Sequence, residues 1–246
     1  MKYYPKKKWG QNFLIDDNIV TKIINILGNT TNLNIIEIGP GKGALTKKIN
    51  SLKIFGFEID PVLCEKLQSN QIKNLICINE DILKVDLESY KFNKVIGNLP
   101  YYISSQIIFK FLNYDSWDLA VFMIQKELAD RITSENGSKQ YGRISVMLQA
   151  CCNVKIEFNV SPNCFFPKPK VSSSIISLKR KKSNDFSFKK LEKVVKKSFS
   201  QRRKKLKNTL IEINNYTQLS SYYEKRPEML SVDEFIEISN IIEFDN

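Results

Sequence analysis

Histidine is absent from all 246 residues. Its absence removes Ser-His-Asp hydrolysis, HExxH metalloproteases and any scheme in which an imidazole carries the proton. The five cysteines, Cys64, Cys77, Cys151, Cys152 and Cys164, are odd in number and contain no CxxC pair. A disulfide framework and a zinc site are therefore disfavoured, and no metal is expected. No apolar run approaches the ~20 residues of a membrane span. The basic opening segment, MKYYPKKKWGQNF, lacks the apolar stretch of a secretory signal. The expectation is a cytoplasmic monomer without membrane contact. Arginine is also scarce, six of the 38 basic residues, and lysine supplies the rest.

What is present is charge in one place. From Lys168 to Lys207 only Asp185 and Glu192 offset sixteen basic residues, so this segment carries +14 against +12 for the whole chain. A bias of lysine over arginine does not decide where charge falls. Concentration in one segment points to a polyanion-binding face.

Apolar runs and turn signals organise the chain. Asp16 or Asp17 caps a predicted helix through Ile19, Val20, Ile23, Ile24 and Leu27, which Gly28 stops. LNIIEI (33–38), KIFGFEI (53–59), NLICIN (74–79), NKVIGN (93–98) and DLAVFMI (118–124) read as strands. Helical stretches lie between most of them: 44–49, the segment after Pro61, the one through Ile107–Leu112, and QKELADRIT. This alternation predicts a doubly wound, mostly parallel sheet. A helix RISVMLQACC follows. Two consecutive strands, 154–160 and 171–179, then suit an antiparallel edge pair closing the sheet. Phe188 to Leu210 reads as helix with basic residues between its apolar positions. The boundary is expected between 1–182, a catalytic domain, and 183–246, a helical, basic, RNA-docking domain.

The motifs sit at strand ends. EIGPGKGALT (37–46) closes the first strand with Gly39, Gly41 and Gly43, which lets backbone pass close to a nucleoside. The spacing is not GxGxxG, and no phosphate-loop Lys-Ser/Thr follows. Glu58 ends the second strand, where a carboxylate can accept both ribose hydroxyls. Asp81, past the third strand, is placed to accept from an adenine amino group. Each alone also reads as an ordinary turn or solvated charge, but successive strand ends delivering such residues form one edge.

NLPY (98–101) follows the fourth strand. An exocyclic adenine amine is a poor nucleophile because its lone pair is delocalised into the ring. Two acceptors, the Asn98 amide oxygen and the Leu99 carbonyl, would draw the nitrogen toward tetrahedral geometry. Pro100 stiffens that backbone and Tyr101 offers a ring to stack on. FFPKPKV (165–171) adds Phe165 and Phe166 on a proline-stiffened loop, where a base-facing role and a core plug are equally compatible with the sequence.

With GQNFL, EIGPGKGALT, FEID, EDIL, NLPYYISS, QKELADRI, GSKQYGRISVMLQ, FFPKPKV and SFSQRRKKLKNTL in order, the chain resembles the ribosomal RNA adenine N6-dimethyltransferase family, most closely its small-subunit branch. The resemblance implies a class I methyltransferase fold: a Rossmann-like, mostly parallel seven-stranded sheet with a small C-terminal helical domain. It implies S-adenosylmethionine (SAM) as methyl donor, held by Asn12, Leu14, Gly39, Gly41, Glu58, Asp81 and Asn98. Target-base contacts fall on Asn98, Leu99, Tyr101 and Phe165, with the adenine flipped into the pocket between Tyr101 and Phe165. The expected partner is small-subunit rRNA or its precursor particle, docked through Arg202, Arg203, Lys204, Lys205 and Lys207. Rival readings are a large-subunit, antibiotic-resistance methyltransferase and an RNA-binding assembly factor without catalysis. One position departs from the pattern: Ser172 stands where the small-subunit branch usually carries an acid.

Overall fold

Ile35, Ile36 and Ile38 are buried in succession with Glu37 between them, as in a strand with parallel neighbours and no solvent-facing side. They belong to a computed structural model that describes residues 3–182 and 185–244. The chain divides into two units. One runs to Ala129 and resumes over Lys155–Arg180; the other takes Asp130–Val154 and Lys181 onward.

In the first unit a short strand, β1 (Phe13–Leu14), precedes helix α1 (Asp17–Leu27). Asp16 caps α1 by accepting from the Asn18 and Ile19 amides. Then come β2 (Thr30–Ile38), β3 (Ser51–Phe57), α2 (Pro61–Ser69), β4 (Leu75–Ile78), β5 (Lys94–Asn98), α3 (Ser104–Leu112) and β6 (Leu119–Gln125). After α4 (Lys126–Ile132) and α5 (Arg143–Cys151), the chain returns through β7 (Cys152–Val160), β8 (Phe165–Phe166) and β9 (Ser173–Arg180).

Seven strands form one sheet in the order β4-β3-β2-β5-β6-β9-β7. The pairs from β4 to β6 are parallel, and β9 runs antiparallel to β6. The predicted alternating, mostly parallel architecture is therefore present, with the last strand inserted between β6 and β7. Strand order reverses between β2 and β5, and ligands of open α/β sheets lie outside the carboxyl ends at such a point. Val20, Ile23 and Leu27 of α1 pack with Ile54, Ile96, Val121 and Ile175 of the sheet. Each such side chain contributes about 1.5–3 kcal/mol when fully buried. The helix predicted over 44–49 is only one 3-10 turn, Thr46–Lys48.

The second unit holds α5, α6 (Phe188–Ser198), α7 (Leu206–Thr209) and α8 (Val232–Ile241). α5 packs against α6 and α8, and the rings of Tyr141, Phe199 and Phe235 meet in sequence. α8 begins with a capping box between Ser231 and Glu234. The continuous helix predicted to Leu210 breaks after Ser198 and resumes at Leu206. The predicted boundary after Lys182 falls on Ser183, outside the described residues. This unit also takes in Asp130–Val154, which the sequence reading places in the catalytic domain.

Candidate active site

The carboxyl ends of β2, β3, β4 and β5 open onto one cleft of the first unit. Gly39 and Gly41, Glu58, Asp81, Asn98, Leu99 and Tyr101 line it, joined by Asn12 and Leu14 from the N-terminal arm. The register that pairs Ile38 with Gly97 sets Gly39 beside Asn98 at the switch point.

The glycine turn and Glu58 are built as one piece. Gly41 has φ +58°, and a Cβ there would lie 3.1 Å from the Phe13 ring. Its N–H donates to Glu58 Oε2 at 2.9 Å, while Oε1 accepts from the Asp60 amide at 3.0 Å. Glu58 is buried. Burial pushes its carboxyl up, and these amides act in the opposite direction. Each oxygen retains a second lone-pair direction for a hydroxyl donor. Asp81 is oriented by the Leu83 amide, which donates to Oδ1 at 3.0 Å.

The NLPY segment is held from several sides. Leu99 is buried, and its N–H donates to the Met123 carbonyl at 3.0 Å. Ser104 Oγ donates to the Pro100 carbonyl at 2.8 Å. The Tyr101 and Ser173 hydroxyls lie 2.6 Å apart, and burial raises the phenol above its ordinary value. Next to Ser173, the Ser172 carbonyl accepts from the Lys126 amide at 3.0 Å, so this loop is tied to the start of α4 without the acid usual at 172. Asn98 Nδ2 donates to the Asn12 carbonyl at 2.8 Å. Because a carbonyl only accepts, that contact assigns the NH2 end of the amide to the arm and leaves Oδ1 as the acceptor on the other side.

The family model for "Ribosomal RNA adenine dimethylase" matches residues 4–243. The chain belongs to the ribosomal RNA adenine dimethylase family. It is 46% identical over 215 residues to the ribosomal RNA small subunit methyltransferase A of Malacoplasma penetrans, covering 85% of this chain and 79% of the relative. The counterpart of the same name in Borreliella burgdorferi is 43% identical over 98% of this chain and 90% of its own. Among solved structures, a dimethyladenosine transferase from Plasmodium falciparum superposes with TM-score 0.82 at 26% identity, covering 94% of this chain and all of the other.

Phe165 is 3% exposed and packs in the core with Leu14 and Val160. β8 pairs antiparallel with β1, Leu14 opposite Phe165 and Phe13 opposite Phe166. Alternation along β8 turns Phe165 inward and leaves Phe166 56% exposed. Lys42 Nζ lies 6.0 Å from the Phe166 ring.

The five basic residues assigned to RNA stand in the second unit and are not equivalent. Arg202 donates to the Ser138 and Lys139 carbonyls at 2.9 and 2.5 Å. Lys205 and Lys207 both pair with Glu224, whose carboxyl they pull down to about 2. Arg203 and Lys204 are exposed and, among the described residues, make no ion pair.

Glu37 is the cleft residue that motif reading passes over. It is 1% exposed, lines the cleft, and its Oε2 has no hydrogen-bond partner among the described residues. A lone acid inside the apolar run LNIIEI is the signal that marks it. Burial, with a further push from the Glu58 charge, raises its carboxyl from 4.5 to about 7. The folded chain then holds a proton that the unfolded chain gives up, so stability falls as pH rises between these two values. Glu37→Gln is expected to flatten that fall. Urea unfolding at half-unit pH steps checks it, and identical slopes in the two proteins refute the assignment.

Proposed function

We infer that this chain transfers methyl groups from SAM to the N6 amines of adenines in small-subunit ribosomal RNA, in the cytoplasm where the subunits assemble. The observation that carries the reading is the Asn98 amide at the switch point, whose NH2 end is held by the Asn12 carbonyl, with Leu99 and Tyr101 beside it in the cleft lining. The family match and the similarly named relatives support the substrate class.

The cleft fits the methyl donor better than a phosphorylated cofactor. Glu58 and Asp81 border it with carboxyl groups, which disfavour phosphate and suit a cationic, hydroxyl-bearing nucleoside. A Cβ on Gly39 would meet nothing nearer than the Asn98 carbonyl oxygen at 4.0 Å, so this turn leaves open space in the cleft wall, and Glu37 Oε2 adds a buried polar atom without a partner among the described residues. Glu58 would take the ribose hydroxyls and Asp81 the adenine amine. Bound SAM supplies an electrophilic methyl group on a sulfonium.

The residues' own work is then positioning. Tyr101, pinned by Ser173, presents its ring to the flipped base, a stack worth about 1–3 kcal/mol. Asn98 Oδ1 and the Leu99 carbonyl accept from the two N6 hydrogens and turn the lone pair out of conjugation. No side chain needs to remove a proton first, because the amine becomes acidic only after it is alkylated. This is consistent with a chain that has no histidine.

Labelled SAM incubated with naked small-subunit RNA, assembled small subunits and large-subunit RNA tests the reading. Label on N6 of small-subunit adenines is expected. Label confined to large-subunit RNA moves the chain to the resistance branch, and no label at all leaves an RNA-binding protein.

The second unit would hold the phosphates, with Arg203 and Lys204 as its uncommitted cations. Reversing both to Glu is expected to weaken subunit binding and reduce the log-log salt slope by about 0.7–0.9 for each phosphate no longer neutralised. Reversing Lys205 and Lys207, already paired with Glu224, should change the slope less. Equal slopes for wild type and the Arg203/Lys204 variant in filter binding would identify this charge as a solvated face.

A further inference from the structure

Asp60 gathers more side chains than any motif assigns to it. It is fully buried, three residues beyond β3, and its Oδ1 caps α2 by accepting from the Val62 amide at 3.0 Å. Three residues of the N-terminal arm converge on the same carboxylate. Lys6 Nζ donates to Oδ1 at 3.1 Å and Gln11 Nε2 to Oδ2 at 3.2 Å. The Tyr3 hydroxyl reaches Oδ2 as well and lies 2.6 Å from Gln11 Oε1. Gln11 Oε1 also accepts from the Lys6 amide at 2.8 Å. Burial alone would raise the Asp60 carboxyl; the bonds from Tyr3, Lys6, Gln11 and Val62 outweigh it and hold the group below its ordinary value.

The arm held in this way walls the cleft. Trp9, Gly10, Gln11 and Asn12 all line it. The arm's own fold is slight: one 3-10 turn over Lys7–Trp9 and the two-residue β1. None of the residues of that turn is buried. So short a segment has little internal structure to keep it in place, and its ordering falls to the side chains that anchor it. The Asp60 amide meanwhile donates to Glu58, which joins the anchor to the carboxylate assigned to the ribose.

We propose that Asp60 is a positioning residue that latches the N-terminal arm across the cofactor cleft. The proposal rests on the reading of that cleft as a SAM site. With the latch intact, the wall formed by Trp9–Asn12 is in place before the cofactor binds. Without it, the arm samples open states, and affinity falls by the fraction of molecules still closed. Saturating cofactor draws the arm back, so the deficit appears in KM and not in the saturated rate.

Asp60→Asn separates the latch from the helix cap. Asparagine is as good an N-cap as aspartate, but its NH2 end confronts the donors of Tyr3, Lys6 and Gln11. The arm also carries its own reporter. Trp9 is one of two tryptophans, and the other, Trp117, is 2% exposed and hydrogen-bonded to the Phe111 carbonyl.

Four readouts are taken on wild type and Asp60→Asn: melting temperature, acrylamide quenching of tryptophan, trypsin cleavage in the Lys6–Lys8 segment, and affinity for S-adenosylhomocysteine by calorimetry. The first three are measured without ligand. The expected variant melts like wild type, quenches more strongly and is cut faster in the arm. It binds S-adenosylhomocysteine about tenfold more weakly, as when one molecule in ten is closed. Its methylation rate at saturating SAM stays within about twofold of wild type, because ligand excess restores the closed population. If Asp60→Asn does not fold, Tyr3→Phe combined with Lys6→Met loosens the latch without touching the helix cap or the cleft lining, and the same shifts are expected. A folded variant with an arm as protected as wild type overturns the latch. A freed arm with unchanged affinity overturns its role at the cleft. A wild type that binds no S-adenosylhomocysteine overturns the functional reading itself, and the cofactor role of the latch with it.

Discussion

Asn98→Ala is expected to lower the single-turnover methylation rate about 10²–10³-fold at saturating SAM and RNA, the usual cost of deleting one preorganised polar contact at the reacting atoms. RNA affinity should barely move, since the exposed cations Arg203 and Lys204 are untouched. SAM affinity should weaken modestly, because the deleted amide also held the Asn12 carbonyl at 2.8 Å. Asn98→Asp is the sharper companion. It keeps an acceptor toward the target amine but places an oxygen against the Asn12 carbonyl, so affinity as well as rate should fall. Rapid-quench measurements beside melting curves decide the matter. A normally folded Asn98→Ala that methylates within a few-fold of wild type would reduce NLPY to a structural turn, and the proposed activation of N6 would fail with it.

Gly97→Ala, one residue earlier, is expected to act through the fold. A Cβ at Gly97 would lie 2.8 Å from the Ile38 carbonyl oxygen and 3.1 Å from both Ile38 Cβ and Leu99 Cδ2. The first of these neighbours is the backbone of β2, an interior strand, which cannot swing aside as a long side chain can. Overpacking of this kind costs about 1–3 kcal/mol. At this chain length that lowers the melting temperature by roughly 2–4 °C per kcal/mol. Any relief must come from β2 and β5 moving apart, which shifts Gly39 from Asn98, so activity should fall further than stability alone explains. Gly142→Ala serves as a control, since its nearest neighbour is the Gln140 carbonyl oxygen at 4.0 Å. Scanning calorimetry that finds the two variants alike would show that β2 and β5 can separate at little cost.

The cleft edge is legible in the sequence because Gly39, Glu58, Asp81 and Asn98 each terminate an apolar run, and a parallel sheet brings such ends together whatever its loops do. Loop-borne and short elements are less legible. The stretch 44–49 carries a helical pattern, but six residues are too few to sustain a helix, and one 3-10 turn forms. The basic helix read through to Leu210 is interrupted where Arg202, Arg203, Lys204 and Lys205 stand in succession. Phe165 and Phe166 are indistinguishable by composition. Only the pairing of β8 with β1 decides which ring enters the core. The convergence on Asp60 spans separations of 49 to 57 residues, and no local pattern records it.

The Asn98 amide works as a rotor with two settings. Seated against the Asn12 carbonyl, it turns its oxygen to the opposite side. Turned by half a revolution, it shows NH2 to another NH2, and donor faces donor. The bond that selects between these settings comes from the arm and not from the strand that bears Asn98. If Asn98 receives the base as proposed, displacing the arm leaves the amide free to take either setting. What fixes its orientation is a contact from 86 residues earlier in the chain.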